Sequence, residues 1–213
     1  MTQTTRWWWV RHAPAVGHDG RVYGSTIDVP VDTSDPTPYR ALAAALPSNA
    51  VLLTSPLHRT MQTADAISAQ GFAPVARQVE ESLQELSFGD WQGMTYAELR
   101  KVSGGHPVWF TPPAVVPPNG ESFLQMCERV VPTVERLTEA FAGRDIVSVS
   151  HGGPIRAAIG LALGCEMAQA VYFHINNLSL TRLEYAHPSQ PGAEGGKWRV
   201  RCINLRPNQL KPV

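Results

Sequence analysis

Residues 7–10 read WWWV. Successive side chains of a strand point to opposite faces, so three consecutive tryptophans and a valine place bulk on both sides of the chain. Such a strand is stable only inside a sheet that is covered on both faces. The run 6–10 (RWWWV) therefore predicts a central strand between two layers. Runs 50–54 (AVLLT) and 145–149 (DIVSV) carry the same profile. Helical patterns alternate with them. One covers 38–46, with Pro38 in its first turn. A second covers 57–69, where Leu57, Met61, Ala64 and Ile67 share a stripe ahead of Gly71. Residues 95–101 open with Thr95 and Glu98 at capping-box spacing and close at Gly104. In 121–142, Phe123, Met126, Cys127, Val130, Val134 and Leu137 recur at three- and four-residue steps, and 154–164 is a further helix. The tail pairs 178–185 with 198–205 as a hairpin, and 11–36 reads as a long loop. Strands alternating with helices predict an α/β fold, a three-layer α/β/α sandwich with a mostly parallel central sheet.

The 213 residues suit one domain, 1–213. Within it the Pro/Gly-rich segment 103–120 reads as a lid-like insertion. Eighteen basic residues balance eighteen acidic ones, so nothing global favours nucleic acid or an anionic membrane surface. The start lacks the apolar core of a secretory signal, and no apolar run approaches the roughly 20 residues of a membrane span. Cys127, Cys165 and Cys202 are far apart and read as reduced thiols, which places the expected site of action in the cytoplasm. Seven histidines show no HxH or HExxH spacing, so a metal hydrolase is disfavoured and neither metal nor cofactor is expected.

The three buried runs end alike. The first runs into Arg11-His12, the second into Ser55-Pro56 and then His58-Arg59, the third into Ser150-His151-Gly152-Gly153. Ligands of such sheets collect beyond the carboxyl ends of the strands. If the ends meet, two arginines, two histidines and helix N-termini surround one volume. Guanidinium forks hold two phosphate oxygens at once, helix N-termini offer free N–H donors, and a neutral imidazole can attack phosphorus. Expelling an alkoxide requires a proton from a carboxylic acid. Asp28, Glu80, Glu81, Glu85 and Asp90 are the candidates that lie outside obvious helix surfaces.

VRHAP, TSPLHRTMQTA, LQELSFGDWQG, NGESF and SVSHGGPIR, in that order over roughly 6–156, resemble the motifs of the histidine phosphatase superfamily. That resemblance implies the phosphoglycerate-mutase-like fold. It also implies His12 as the nucleophile that becomes phosphohistidine, and Glu85 as the acid that protonates the leaving oxygen. Arg11, Arg59 and His151 would bind the phosphoryl oxygens, helped by the Gly152 backbone. Tyr23 and Gly24 would lie in a substrate-contacting turn. Where the family carries a phosphate-contacting asparagine, six residues after the nucleophile, this chain has His18. Ala13-Pro14 and the later YGSTIDVP are closer to the α-ribazole-phosphatase-like branch.

Hydrolase and mutase share the phosphohistidine. A phosphoglycerate mutase needs extra basic residues beside Glu85, yet 102–128 contains no Lys or Arg. His106, Trp109, Phe110 and a run of prolines stand there instead. The expected activity is metal-independent hydrolysis of a small phosphomonoester with an apolar, aromatic or sugar-like leaving group, with α-ribazole 5'-phosphate a candidate. A cofactor-dependent mutase and a non-catalytic phospho-ligand module are the alternatives. Segment 166–178 or the tail hairpin offers the surface for a homodimer.

Overall fold

The computed structural model describes residues 3–17, 19–105, 112–188 and 196–212. Six strands form one sheet: β1 (Thr4–Arg11), β2 (Val51–Thr54), β3 (Ala76–Val79), β4 (Asp145–Ser150), β5 (Leu180–Ala186) and β6 (Lys197–Leu205). Their order is β3-β2-β4-β1-β5-β6. The pairings β3·β2, β2·β4 and β4·β1 are parallel, and β1·β5 and β5·β6 are antiparallel. The expected tail hairpin thus extends the parallel core on one side.

The tryptophans divide between the two faces. Trp7 and Trp9 stack at 4.9 Å and are buried with Leu53, Ile146 and Leu183 beneath α4 (Phe123–Ala140) and α5 (Gly152–Leu163). Trp8 and Val10 are buried on the opposite face with Leu52 and Val149, beneath α1 (Thr37–Ala45) and α2 (His58–Ser68). Two helix layers therefore sandwich the sheet, as a doubly buried β1 requires. Among the described residues, the short helices α3 (Tyr96–Val102) and α6 (Met167–Ala170) complete the α-helical set.

Three local features depart from the sequence expectations. β3 was not foreseen, because its residues ARQV are all exposed and it joins the sheet edge through backbone pairing with β2. The helix expected from 154 begins at Gly152, with His151 as its extended N-cap. On α2 the buried face includes Arg59, Thr60 and Thr63, while Met61 is only half-buried. That polar burial is explained by the site.

Candidate active site

β1, β4 and β2 are neighbours, so the three motif-bearing strand ends open on one cleft. His12 follows β1, and its backbone N–H bonds to Ser150 O at 2.9 Å. The side chain lines the cleft and is only 8% exposed. Its Nδ1 lies 2.7 Å from Ala13 O. A carbonyl only accepts, so Nδ1 carries the hydrogen and Nε2 keeps its lone pair. Asn177 Nδ2 donates to His12 O at 2.8 Å, and Ala13 N donates to Thr63 Oγ1 at 2.9 Å, which fixes the segment. Burial above all, then Arg11 and Arg59, hold the His12 pKa well below that of an ordinary imidazole. The ring is therefore neutral at neutral pH.

Arg59, in the first turn of α2, is 2% exposed. Its Nη2 donates to Gly24 O at 2.6 Å, Nη1 to Ile27 O at 3.3 Å, and Nε to His151 Nδ1 at 3.3 Å. One guanidinium thus ties the Tyr23-Gly24 turn to the end of β4, and both of those residues line the cleft. His151 is fully buried, edge-on to His12 at 5.2 Å. Since Arg59 can only donate, His151 Nδ1 accepts, and Nε2 donates to Ser55 Oγ at 2.7 Å. Both ring nitrogens are engaged, so contact with a phosphoryl oxygen requires one of these bonds to be exchanged. Arg11 lines the cleft, with Nη1 donating to Ile175 O at 2.6 Å. Its buried Nε has no partner among the described residues.

Of the five candidate acids, Glu85 lines the cleft. Its Oε1 accepts from Leu86 N and Gly153 N, each at 3.0 Å. Asp28 instead caps α2, accepting from His58 N at 2.6 Å. Glu80 pairs with Arg136 at 2.7 Å, Asp90 accepts from Asn119 Nδ2 at 3.1 Å, and Glu81 is exposed. The two glycines that open α5 allow the close approach. A Cβ on Gly153 would lie 2.5 Å from Glu85 Oε1, and one on Gly152 would lie 3.1 Å from Arg156 Nη1 and 3.9 Å from Arg11 Nε. Among the described residues no group of three His, Cys, Asp or Glu side chains could hold a metal ion.

The family profile described as histidine phosphatase superfamily (branch 1) matches residues 7–194. The chain belongs to this superfamily. A glucosyl-3-phosphoglycerate phosphatase of Mycolicibacterium vanbaalenii is 34% identical over 167 residues, covering 72% of this chain and 73% of that protein. The adenosylcobalamin/α-ribazole phosphatase of Escherichia coli is 25% identical over 175 residues, covering 80% and 85%. The native structure of a mycobacterial glucosyl-3-phosphoglycerate phosphatase superposes with a TM-score of 0.79 at 25% identity, over 95% of this chain and 99% of that one. The fold is therefore the phosphoglycerate-mutase-like α/β sandwich of the histidine phosphatases. The first curated relatives matched are longer proteins, and the match spans 37% of their length.

Against that family background, sequence reasoning passed over three cleft residues. Arg156 lines the cleft one helical turn after Gly152, and its Nε donates to Phe173 O at 2.7 Å. Burial lowers its pKa to about 10, so it remains a cation at neutral pH. Arg21 lines the exposed mouth and is held by Asp19 at 2.6 Å and Gly93 O at 2.7 Å. Asn177 arrives from the turn before β5. The four-residue spacing from Gly152 on α5 was the available signal for Arg156. Segment 102–128 carries no Lys or Arg, as the sequence states, and the further cations of the cleft are Arg156 from α5 and Arg21 from the loop after β1. The described part of the lid segment contributes Pro112, Pro113, Val115 and Pro117 to an otherwise apolar wall with Phe88 and Trp91. His18, His106, Trp109 and Phe110 lie outside the described residues.

Proposed function

We propose that the chain is a metal-independent phosphomonoesterase working through a phosphohistidine at His12. The observation that carries this reading is the His12 ring itself. It is buried and neutral, its Nδ1 is committed to Ala13 O, and it lines a cleft flanked by Arg11 and Arg59. Nε2 attacks phosphorus in line, forming the P–N bond as the P–O bond to the leaving group breaks. Arg11, whose buried Nε lacks a partner among the described residues, and Arg59 hold the non-bridging oxygens, with the Gly152 amide at the start of α5. Glu85 gives its proton to the departing oxygen. A water molecule then attacks phosphorus, returns a proton to Glu85, and the P–N bond breaks to release phosphate and neutral His12.

His151 serves this step by holding Arg59 through Nδ1, and reaches a phosphoryl oxygen on exchanging a bond. His18 and the Tyr23-Gly24 turn are assigned to the substrate side. Residues 1–213 then act as one domain on a small phosphomonoester in the cytoplasm.

The apolar wall supports a bulky, aromatic or sugar-like leaving group, as in α-ribazole 5'-phosphate. Arg156 favours a second class, in which the leaving group also carries a carboxylate, as a glucosyl phosphoglycerate does. A screen of nucleotides, sugar phosphates, glucosyl-3-phosphoglycerate, 3-phosphoglycerate and α-ribazole phosphate tests the assignment, with and without a chelator. Chelator-resistant phosphate release is expected. Conversion of 3- to 2-phosphoglycerate as the dominant reaction would make the chain a mutase, and inactivity throughout would make it a binding module.

A further inference from the structure

Arg129 projects from α4 and makes five hydrogen bonds. Nη1 donates to Ser82 O and Gln84 O, each at 2.9 Å. Nη2 donates to Glu85 O at 3.1 Å and to Glu121 Oε1 at 2.6 Å, and Nε donates to Glu121 Oε2 at 3.1 Å. Glu121 continues the grip: its Oε1 accepts from Ser87 N at 3.0 Å and its own N–H donates to Ser87 O at 2.9 Å. The backbone is therefore held immediately before Glu85, at Glu85 and two residues after it. These residues form no helix or strand; the short 3₁₀ turn Glu81–Leu83 ends before Gln84. Beside Ser150 Oγ donating to Leu83 O at 3.1 Å and Gln84 Nε2 donating to Ser25 O at 3.2 Å, the clamp is what holds the carbonyls of Gln84 and Glu85.

We propose that the Arg129–Glu121 ion pair is the positioning device for the Glu85 carboxyl, an inference that rests on the acid role given to Glu85 above. A general acid must sit within hydrogen-bond reach of the oxygen it protonates, and a displacement on the order of 1 Å can cost about 10²-fold in rate. The Gly153 and Leu86 amides fix one carboxylate oxygen, but they can aim the group only if the backbone of 84–87 is itself in place. Arg129 supplies that from behind. The planar fork is required because five donors in fixed directions reach three carbonyls and a carboxylate together, which an ammonium cannot do.

The test compares leaving groups. p-Nitrophenolate departs as a stable anion and needs little help from an acid, whereas an alkoxide needs the proton. kcat/KM should be measured for p-nitrophenyl phosphate and for a primary alkyl phosphate in the wild type and in Arg129→Met, Arg129→Lys, Glu85→Gln and the Glu85→Gln/Arg129→Met double variant. Arg129→Met is expected to lower the alkyl value by about 10²-fold, the usual contribution of a general acid, with p-nitrophenyl phosphate little affected. The double variant should be no worse than Glu85→Gln alone, because the two changes remove one function. Should Arg129→Met not fold, Arg129→Lys carries the same comparison and should show the same split. Equal losses on both esters, or losses that multiply in the double variant, would overturn the inference while leaving Glu85 as the acid. Wild-type turnover that persists in His12→Ala would overturn the functional reading and this inference with it.

Discussion

The amide of Gly153 donates to Glu85 Oε1 at 3.0 Å, joining the first turn of α5 to the loop after β3. The bond brings the Glu85 carboxyl to the N-terminus of α5, where the first backbone amides have no partner within the helix. It also brings Glu85 beside the carboxyl end of β4. Gly153 is needed because a side chain there would meet Glu85 and the Met126 sulfur.

Gly153→Ala should therefore displace Glu85. The expected result is a stability loss of about 1–3 kcal/mol, the usual cost of overpacking, together with a larger kinetic loss on alkyl than on p-nitrophenyl phosphates. Urea unfolding and the two-ester comparison measure the parts separately. Wild-type kinetics on both esters would show that the contact is not used in the reaction.

His12→Ala should abolish a phosphoenzyme that is labile in acid and stable in base, while the fold persists. Quenched-flow labelling with a phosphate-labelled substrate and circular dichroism are the measurements. Equal labelling of the variant would remove His12 from the mechanism.

The pH dependence follows from the depressed pKa values of His12 and His151, for which burial is the leading cause. The unfolded chain takes up these protons near the ordinary histidine value of about 6.5, and the folded chain only well below it. Unfolding therefore binds protons in that window, and stability contributed by the neutral rings falls as pH drops below about 6.5. His12→Ala should flatten the fall in urea midpoint between pH 7 and 5. For the same reason the acid limb of kcat/KM should lie below 6.5. A limb above that value would assign it to another group.

Trp8→Ala should cost stability first. The ring is buried between β1 and the α1–α2 layer, its Nε1 donates to Asp145 Oδ1 at 2.9 Å, and the Arg182 guanidinium lies 4.2 Å from its centre. A loss of about 3–5 kcal/mol is expected for such a truncation. The measurement is again urea unfolding, with residual activity per folded molecule near that of the wild type.

Arg156→Met should discriminate between leaving-group classes. The KM for phosphomonoesters that carry a carboxylate should rise by about 10-fold or more, as for a lost charged contact worth about 1.5–3 kcal/mol, while p-nitrophenyl phosphate changes little. An equal effect on both would place Arg156 at the phosphoryl group.

The layers of this fold were legible in the sequence because burial leaves a periodic record. A strand with tryptophan on both faces must lie between two layers, and the stripe of α4 states which side that helix buries. Caps are local too: Thr95 and Glu98 satisfy each other's backbone amides as their spacing predicts. The motif residues Arg11, His12, Arg59 and His151 could be named from strand ends, but their meeting depends on the order β2-β4-β1, which no local pattern encodes. Glu85 was one of five acids by residue chemistry alone, and only the resemblance selected it. The rest was decided by chain segments far apart in sequence: Arg156 and Asn177 entering the cleft, the His151 tautomer set by Arg59, and Arg129 reaching back more than forty residues to hold the Glu85 loop. Periodicity reports whether a side chain is inside, whereas its partner is set by the packing of distant elements, and that is a property of the tertiary structure.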